Sequence, residues 1–217
     1  MSIQQFLLQL PHAYCGDQLS EIAEGLHYLH SRNVIHGDLK GVCCYFGSYS
    51  AAELTPRQMN VLVDVADGTP HARIADLGIA TVTRNPNSIR PVTAQNIHSP
   101  AWSAPEVMRG ENPTKESDIY SFAMIVIEVQ CGLFCVWLPL TVSTRAQVLS
   151  GDVPFSDLKT NWMVLVAVLE GKRPPRPAHP SCTHDFWTLI QRCWDQVPQL
   201  RPDISRVLQT LSSVSAN

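Results

Sequence analysis

The residues best suited to chemistry lie in the stretch His36-Gly37-Asp38-Leu39-Lys40, which places a carboxylate two positions before an ammonium group. A carboxylate can accept a proton, and carboxylate and amide oxygens are ligands that Mg²⁺ prefers. Taken alone, each such residue is more often a solvated turn residue, so the motifs that follow in order carry the argument. These are Asn60-Val61-Leu62-Val63-Asp64, Asp76-Leu77-Gly78, Ala104-Pro105-Glu106, Asp118, Trp194 and Arg201-Pro202.

The order and approximate spacing of these motifs resemble those of the protein-kinase family. In that family they form the catalytic loop, the metal-binding loop, the end of the activation segment and the closing helices. The resemblance covers nearly all of the chain outside two inserts. It implies an α+β protein-kinase-like fold, with a mainly α-helical C-terminal lobe, a short β-hairpin and the N-terminal lobe missing.

The resemblance also implies roles in phosphoryl transfer, a reaction that depends on positioning and charge neutralisation. Asp38 matches the carboxylate that orients the substrate hydroxyl and accepts its proton, and Lys40 matches the ammonium that steadies the transferring phosphate. Asn60 and Asp76 match the Mg²⁺ ligands that hold ATP. Structural positions are matched by His36 and Gly78, by Asp118 as the cap of the catalytic loop, and by Glu106 and Arg201 as an ion pair.

Finer features indicate a group within the family. Cys193-Trp194 and the spacing of Pro198 and Arg201-Pro202 are most similar to the tyrosine-kinase-like group, a type abundant in fungi. Lys40 and Ser99 favour serine and threonine over tyrosine as substrates.

Two positions depart from the family pattern. Gly37 stands where many kinases have an arginine that grips a phosphate on the activation loop, so ordering of this loop is expected not to need phosphorylation. Leu77 replaces the usual phenylalanine between Asp76 and Gly78, which is a volume-conserving apolar change.

The elements around the motifs are mainly helical. Periodicity predicts a helix that is capped by Asp17 and ends at His30, just before the catalytic stretch. The runs 61–65 and 73–75 predict a hairpin that presents Asp76 just past its second strand. Further helices are predicted over 118–129, 186–194 and 204–211. The first of these is apolar nearly all round, which predicts a helix buried on every side.

The composition bounds the class of protein. The chain has 217 residues, 45% of them hydrophobic, which suffices for one sizeable core. A net charge of −3 gives no basic excess for nucleic acid or an anionic membrane. The apolar run 122–142 is interrupted by Glu128, Gln130 and Pro139, so no stable membrane span is expected. Seven cysteines without a Cys-x-x-Cys pair argue against disulfides or structural zinc and favour a cytoplasmic location.

Two stretches do not fit the family pattern. Asn60 follows Asp38 by 22 positions where the pattern has five, which leaves 17 extra residues at approximately 42–59. About 19 more lie at 130–148. Both stretches carry Leu-Thr and then glutamine near the end, residues whose codons can match an intron terminus. They are therefore interpreted as translated introns, with two genuine surface loops as the alternative.

The kinase domain is thus predicted to span 1–211 in partial form, followed by a frayed tail at 212–217. No lysine precedes Lys40, and no two glycines are separated by a single residue, so the glycine-rich loop and strand lysine of an active kinase are absent from the printed sequence. The predicted function is an ATP- and Mg²⁺-dependent protein kinase of signal transduction that phosphorylates serine or threonine of protein substrates and is inactive as this chain alone. The alternatives are a non-catalytic, pseudokinase-like binding module and a polypeptide that never folds as written. The oligomeric state is left open.

Overall fold

The structure, a computed structural model, describes residues 13–45, 60–66, 69–77, 80–82, 99–130, 154–177 and 182–215. Gly78, residues 67–68 between the two hairpin strands and most of the two inserts lie outside these ranges. The helices are α1 (Ala13–Ser31), α2 (Pro105–Met108), α3 (Lys115–Gln130), α4 (Asn161–Leu169), α5 (His184–Cys193) and α6 (Ile204–Ser215), with a 3₁₀ turn at Pro198–Leu200. The strands are β1 (Val34–Ile35), β2 (Val42–Tyr45), β3 (Val61–Ala66), β4 (Thr69–Ile74) and β5 (Thr81–Val82).

Helix α3 is the centre of the core. Every residue from 117 to 128 is buried, which confirms the prediction drawn from its all-round apolar sequence. It packs against α1, α5 and the 3₁₀ turn, while α6 packs against both α1 and α5. Among the described residues, no helix combines the length and hydropathy that crossing a membrane requires.

Two helix boundaries differ from those predicted by four residues or more, and the other predicted boundaries lie within three residues of the observed ones. Helix α1 begins at Ala13, so Asp17 is an exposed residue within the helix and not its cap. An aspartate inside a helix costs less than about 1 kcal/mol relative to alanine, and tertiary packing of the helix outweighs this cost. Helix α6 continues to Ser215, beyond the predicted end at 211. The Ser212 and Ser213 hydroxyls donate to the carbonyls of Leu208 and Thr210, which accommodates both serines in the last turns.

The predicted hairpin is present as the antiparallel pair β3 and β4. Strand β2, at the start of the first insert, pairs in parallel with β3 and gives the order β2-β3-β4, which the sequence did not predict. The outer edge of β4 is covered by α1. There the Glu21 carboxylate accepts a hydrogen bond from the Ala72 amide (2.6 Å) and contacts His71 Nδ1 (2.6 Å). One helix side chain thereby satisfies an edge amide that β3 cannot reach.

A buried ion pair connects α2 to the C-terminal helices. Arg201 donates to both carboxylate oxygens of Glu106 at 2.6 and 2.8 Å, and its other donors reach the carbonyls of Glu116 and Asp195. The two side chains are 0% and 4% exposed. Such a pair depends on both partners, because removal of either leaves a buried charge without compensation.

Replacement of Arg201 by methionine is expected to lower the free energy of unfolding by about 3–5 kcal/mol, because Glu106 would remain buried without its partner. Chemical denaturation measures this. The matched control is Lys172→Ala, which breaks the exposed pair with Glu170 (68% and 56% exposed) and is expected to change stability by less than about 0.5 kcal/mol. Equal effects of the two variants would contradict the argument.

Tyr120 of α3 lies beside the same ion pair. The guanidinium carbons of Arg173 and Arg201 are 5.1 and 5.2 Å from its ring centroid, so both cations can interact with the ring. Its hydroxyl is buried and has no hydrogen-bond partner among the described residues. Burial raises the pKa of Tyr120 to about 12, and the two neighbouring cations only partly offset this effect.

Replacement of Tyr120 by phenylalanine is expected to keep stability or raise it by up to about 1 kcal/mol, because it removes only the unpartnered hydroxyl. The control Tyr120→Leu also removes the aromatic ring and is expected to cost at least about 2 kcal/mol. A second test uses pH. The folded-state pKa lies above the unfolded value of 10.0, so the stability due to this proton is present below pH 10 and lost as the pH rises towards 12. This part of the decline should be absent in Tyr120→Phe; a large loss of stability in that variant at neutral pH would overturn the prediction.

Candidate active site

The carboxylate of Asp118 holds the backbone of the catalytic stretch, residues 36–40, through two hydrogen bonds. Its Oδ2 accepts from the His36 amide and its Oδ1 from the Gly37 amide, each at 2.9 Å. Gly37 has a φ of +79°, a conformation that side chains with a Cβ rarely adopt. Asp118 is 1% exposed, so these bonds replace the water that its charge would otherwise need.

His30, at the end of α1, is a third partner of Asp118. Its Nε2 lies 2.9 Å from Asp118 Oδ2, and the ring is 6% exposed. Sequence reasoning missed this residue, because a lone histidine at a helix end carries no signal of a partner 88 positions away. The contact fixes the end of α1 to α3 and therefore the point at which the chain enters the catalytic stretch.

The His36 side chain links the stretch 36–40 to the segment that precedes Asp76. Its Nδ1 accepts from the Asp38 amide at 3.3 Å, which assigns the ring proton of the neutral form to Nε2. Nε2 lies 3.2 Å from the carbonyl oxygen of Ala75 and donates to it in that tautomer. His36 is fully buried and therefore ties the backbone before Asp76 to the backbone of Asp38.

Asp38, Lys40 and Asn60 form the chemical centre of the site. The Lys40 ammonium lies 2.5 Å from Asp38 Oδ2. The Asn60 amide nitrogen donates to the Asp38 carbonyl at 2.5 Å and to Oδ2 at 3.3 Å. These bonds leave Oδ1 as the carboxylate oxygen to which no described residue donates. The Asp38 side chain is 30% exposed, whereas Lys40 is 7% exposed, so the carboxylate can reach a solvent-borne molecule while its cation stays in place.

Asp76 follows β4 and is exposed. The Ala75 amide donates to the Asn60 carbonyl at 2.8 Å, which places Asn60 directly beside the residue that precedes Asp76. Asp76 adopts a φ of +60°, a conformation that is uncommon for residues other than glycine. Leu77, next to it, is 51% exposed. Gly78 lies outside the described residues.

The segment around Ser99 borders Asp38 on a second side. A small cavity there is lined by Gly37, Asp38, Ser99, Trp102 and Ser103, among others. Ser103 Oγ donates to the Ser99 carbonyl at 3.0 Å, and the Trp102 indole donates to the buried carboxylate of Glu128 at 3.0 Å. The segment is therefore anchored to α3 on the side of the cavity that faces Asp38.

The side-chain oxygens of Asn60 and Asp76 can be compared with the ligands that a divalent cation requires. Asn60 uses its amide nitrogen for Asp38, which leaves its amide oxygen as an acceptor, and Asp76 supplies a carboxylate. Within the described ranges, no group of three or more histidine, cysteine, aspartate or glutamate side chains is placed to hold a metal. Mg²⁺ commonly takes one or two protein carboxylates, with waters and substrate phosphates as its other ligands. The residues present fit a Mg²⁺ ion that arrives with a phosphate ligand.

Comparison with known proteins defines the class. A family model described as protein tyrosine and serine/threonine kinase matches residues 8–211. The chain belongs to this family. The helix-rich structure with its small sheet agrees with a kinase-like fold.

Individual relatives are also named as protein kinases. A light-sensor protein kinase of Ceratodon purpureus is 30% identical over 216 residues, and serine/threonine-protein kinase STY17 of Arabidopsis thaliana is 26% identical over 196 residues. A Dictyostelium discoideum protein named as a probable serine/threonine-protein kinase is 28% identical over 209 residues. These matches cover 90%, 89% and 96% of this chain but only 14%, 26% and 12% of the relatives. These relatives come from plants and Dictyostelium, so they give no support to the fungal resemblance.

Replacement of Asp118 by alanine is expected to lower the free energy of unfolding by about 3 kcal/mol or more, because the amides of His36 and Gly37 and the buried His30 ring lose their acceptor. Hydrogen exchange of the His36 and Gly37 amides should accelerate more than exchange in α5. The matched control is Asp203→Ala, which removes an exposed carboxylate that accepts from the Arg206 amide at 2.8 Å and should cost only about 1 kcal/mol. Unchanged protection of the two amides in Asp118→Ala would contradict the proposed role of the carboxylate.

Proposed function

We propose that this chain carries the catalytic half of a protein kinase that transfers the γ-phosphate of ATP to serine and threonine hydroxyls of proteins. The observation that supports this most directly is the Asp38 carboxylate, held between Lys40 and Asn60 on a loop that buried Asp118 fixes. Family membership makes protein substrates the natural acceptors.

The roles of the residues follow from their contacts. Asp38 orients the acceptor hydroxyl and takes its proton on Oδ1, the oxygen that faces no described donor. Lys40 holds the carboxylate in position through its 2.5 Å contact with Oδ2, and its remaining N–H groups would donate to the transferring phosphate. Because Lys40 is nearly buried, its charge is screened less than that of an exposed lysine. Positioning and charge neutralisation of this kind are what phosphoryl transfer requires of a protein.

ATP and Mg²⁺ are proposed as the cofactors. Asn60 would contribute its amide oxygen and Asp76 its carboxylate to Mg²⁺, and the ion would neutralise charge on the phosphates when bound. The bond between the Ala75 amide and the Asn60 carbonyl fixes the backbone just before Asp76 beside Asn60. The protein's own contribution is therefore to bring the two residues with these oxygen donors to neighbouring backbone positions.

The finer assignment is also a proposal. Lys40 and Ser99 support serine and threonine as acceptors, as do the names of the relatives. Cys193-Trp194 with Arg201-Pro202 support the tyrosine-kinase-like group, whereas the fungal affinity stands on motif resemblance alone. A cytoplasmic location likewise stays a prediction from cysteine usage.

We further propose that the printed chain needs additional sequence for catalysis, because it contains neither a glycine-rich loop nor a lysine before Lys40. An alternative function is a non-catalytic binding module of the same fold. Binding of nucleotide separates the two, since only a kinase requires Asp76 to hold a Mg²⁺–ATP complex.

The test uses a longer chain in which upstream coding sequence supplies both features. Mg²⁺–ATP at about 100 times its Kd is expected to raise the melting temperature by several degrees, which corresponds to roughly 2.7 kcal/mol of linked stability. Asp76→Ala should abolish this rise. Asp38→Ala should retain it but lower the rate of phosphate transfer to protein by about 10²- to 10⁴-fold, as expected for loss of a general base.

The control is Asp157→Asn, a change at an exposed carboxylate that should leave both the melting shift and the rate unchanged. A chain that binds no Mg²⁺–ATP would sink the kinase proposal and favour the binding module. Phosphate transfer that persists at full rate in Asp38→Ala would refute the assigned base.

A further inference from the structure

The chain leaves the catalytic stretch and returns to it at one point. The Asn60 amide donates to the Lys40 carbonyl at 2.8 Å, and the Val61 amide donates to the Gly41 carbonyl at 3.2 Å. Lys40 and Asn60 are 20 positions apart in the sequence, yet their backbones are directly bonded. The intervening stretch is therefore an excursion whose two ends meet.

In a shorter chain, each of these two bonds would close a β-turn. If residues 42–58 are left out, Gly41 is joined to Met59 and the chain reads Lys40-Gly41-Met59-Asn60. The bond from the Asn60 amide to the Lys40 carbonyl then links the fourth residue of this set to the first, which is the closing bond of a β-turn. The bond from Val61 to Gly41 has the same spacing and closes a second, overlapping turn.

The conformation of Gly41 supports the same conclusion independently. Its φ is +57°, in the positive range that the first central residue of a type I′ or II′ turn requires and that glycine adopts without strain. Of these two turns, type II′ has a negative φ at its second central position, which suits an ordinary residue such as methionine. Gly41 thus already has the backbone φ of a turn residue in the long chain.

We propose that the working form of the catalytic loop is this four-residue turn, and that residues 42–58 are an insertion that the fold of the lobe does not need. The register is specific. Leaving out 17 residues restores the spacing of five positions between Asp38 and Asn60, whereas 16 or 18 would not. Strand β2 (Val42–Tyr45) belongs to the insertion, pairs with β3 and also contacts α3. The β3–β4 hairpin forms its own ladder without β2.

The experiment compares three deletions in the otherwise complete chain: 42–57, 42–58 and 42–59. All three remove β2 equally, so the differences among them report the turn and not the strand. The 42–58 deletion is expected to unfold cooperatively and to melt about 5 °C above the other two, because only it can make both turn bonds. Its Asn60 and Val61 amides should exchange with solvent at least about tenfold more slowly than in the 42–59 deletion.

A further variant tests the conformation of the turn. Gly41→Ala within the 42–58 deletion places a Cβ at a positive φ and should lower the melting temperature by several degrees. Equal melting temperatures for the three deletions, or failure of the 42–58 deletion to fold cooperatively, would overturn the proposal. The relevance of the turn to catalysis rests on the proposed function, but every readout here is of folding without ATP, so failure of one proposal is distinguishable from failure of the other.

Discussion

The site depends most on the hydrogen bonds of the Asp118 carboxylate, which is buried in the core. A buried carboxylate is costly unless hydrogen bonds replace its hydration. Here the replacement comes from the amides of His36 and Gly37 and from the His30 ring. The same bonds that make the charge tolerable hold the catalytic stretch in a backbone conformation that only glycine adopts easily at position 37. Stability of the core and geometry of the loop are therefore set by one interaction.

Further hydrogen bonds connect the backbone that Asp118 holds to the other residues of the site, and they form a closed ring. His36 contacts the carbonyl of Ala75, the Ala75 amide contacts Asn60, and Asn60 contacts Asp38, whose own amide returns to His36. Each of these bonds has a backbone atom at one end at least, and the side chains that complete them belong to His36 and Asn60, which are both buried. The positions of Asp38, of Asn60 and of the segment before Asp76 are therefore fixed relative to one another, which is the preorganisation that phosphoryl transfer favours.

Sequence reasoning could predict the parts that periodicity and motif order encode. An apolar helix buried on all sides (α3), the β3–β4 hairpin and the two amphipathic helices α5 and α6 all follow from such patterns. It could not predict His30 as a partner of Asp118, because that contact depends on folding alone. It also did not predict α4, whose unbroken apolar sequence has no amphipathic pattern, or β2, since parallel pairing leaves no local signal in the sequence.

The contacts that complete the site also order its formation in time. His36 and Asp118 are separated by 82 positions, and Glu106 and Arg201 by 95. A ribosome releases the catalytic stretch long before the carboxylate that fixes it, and the chain must emerge as far as Arg201 before the second pair can close. Until then the buried donors of the loop face water. The loop therefore acquires its anchor only after α3 has emerged, and synthesis that stops before α3 leaves the loop without it.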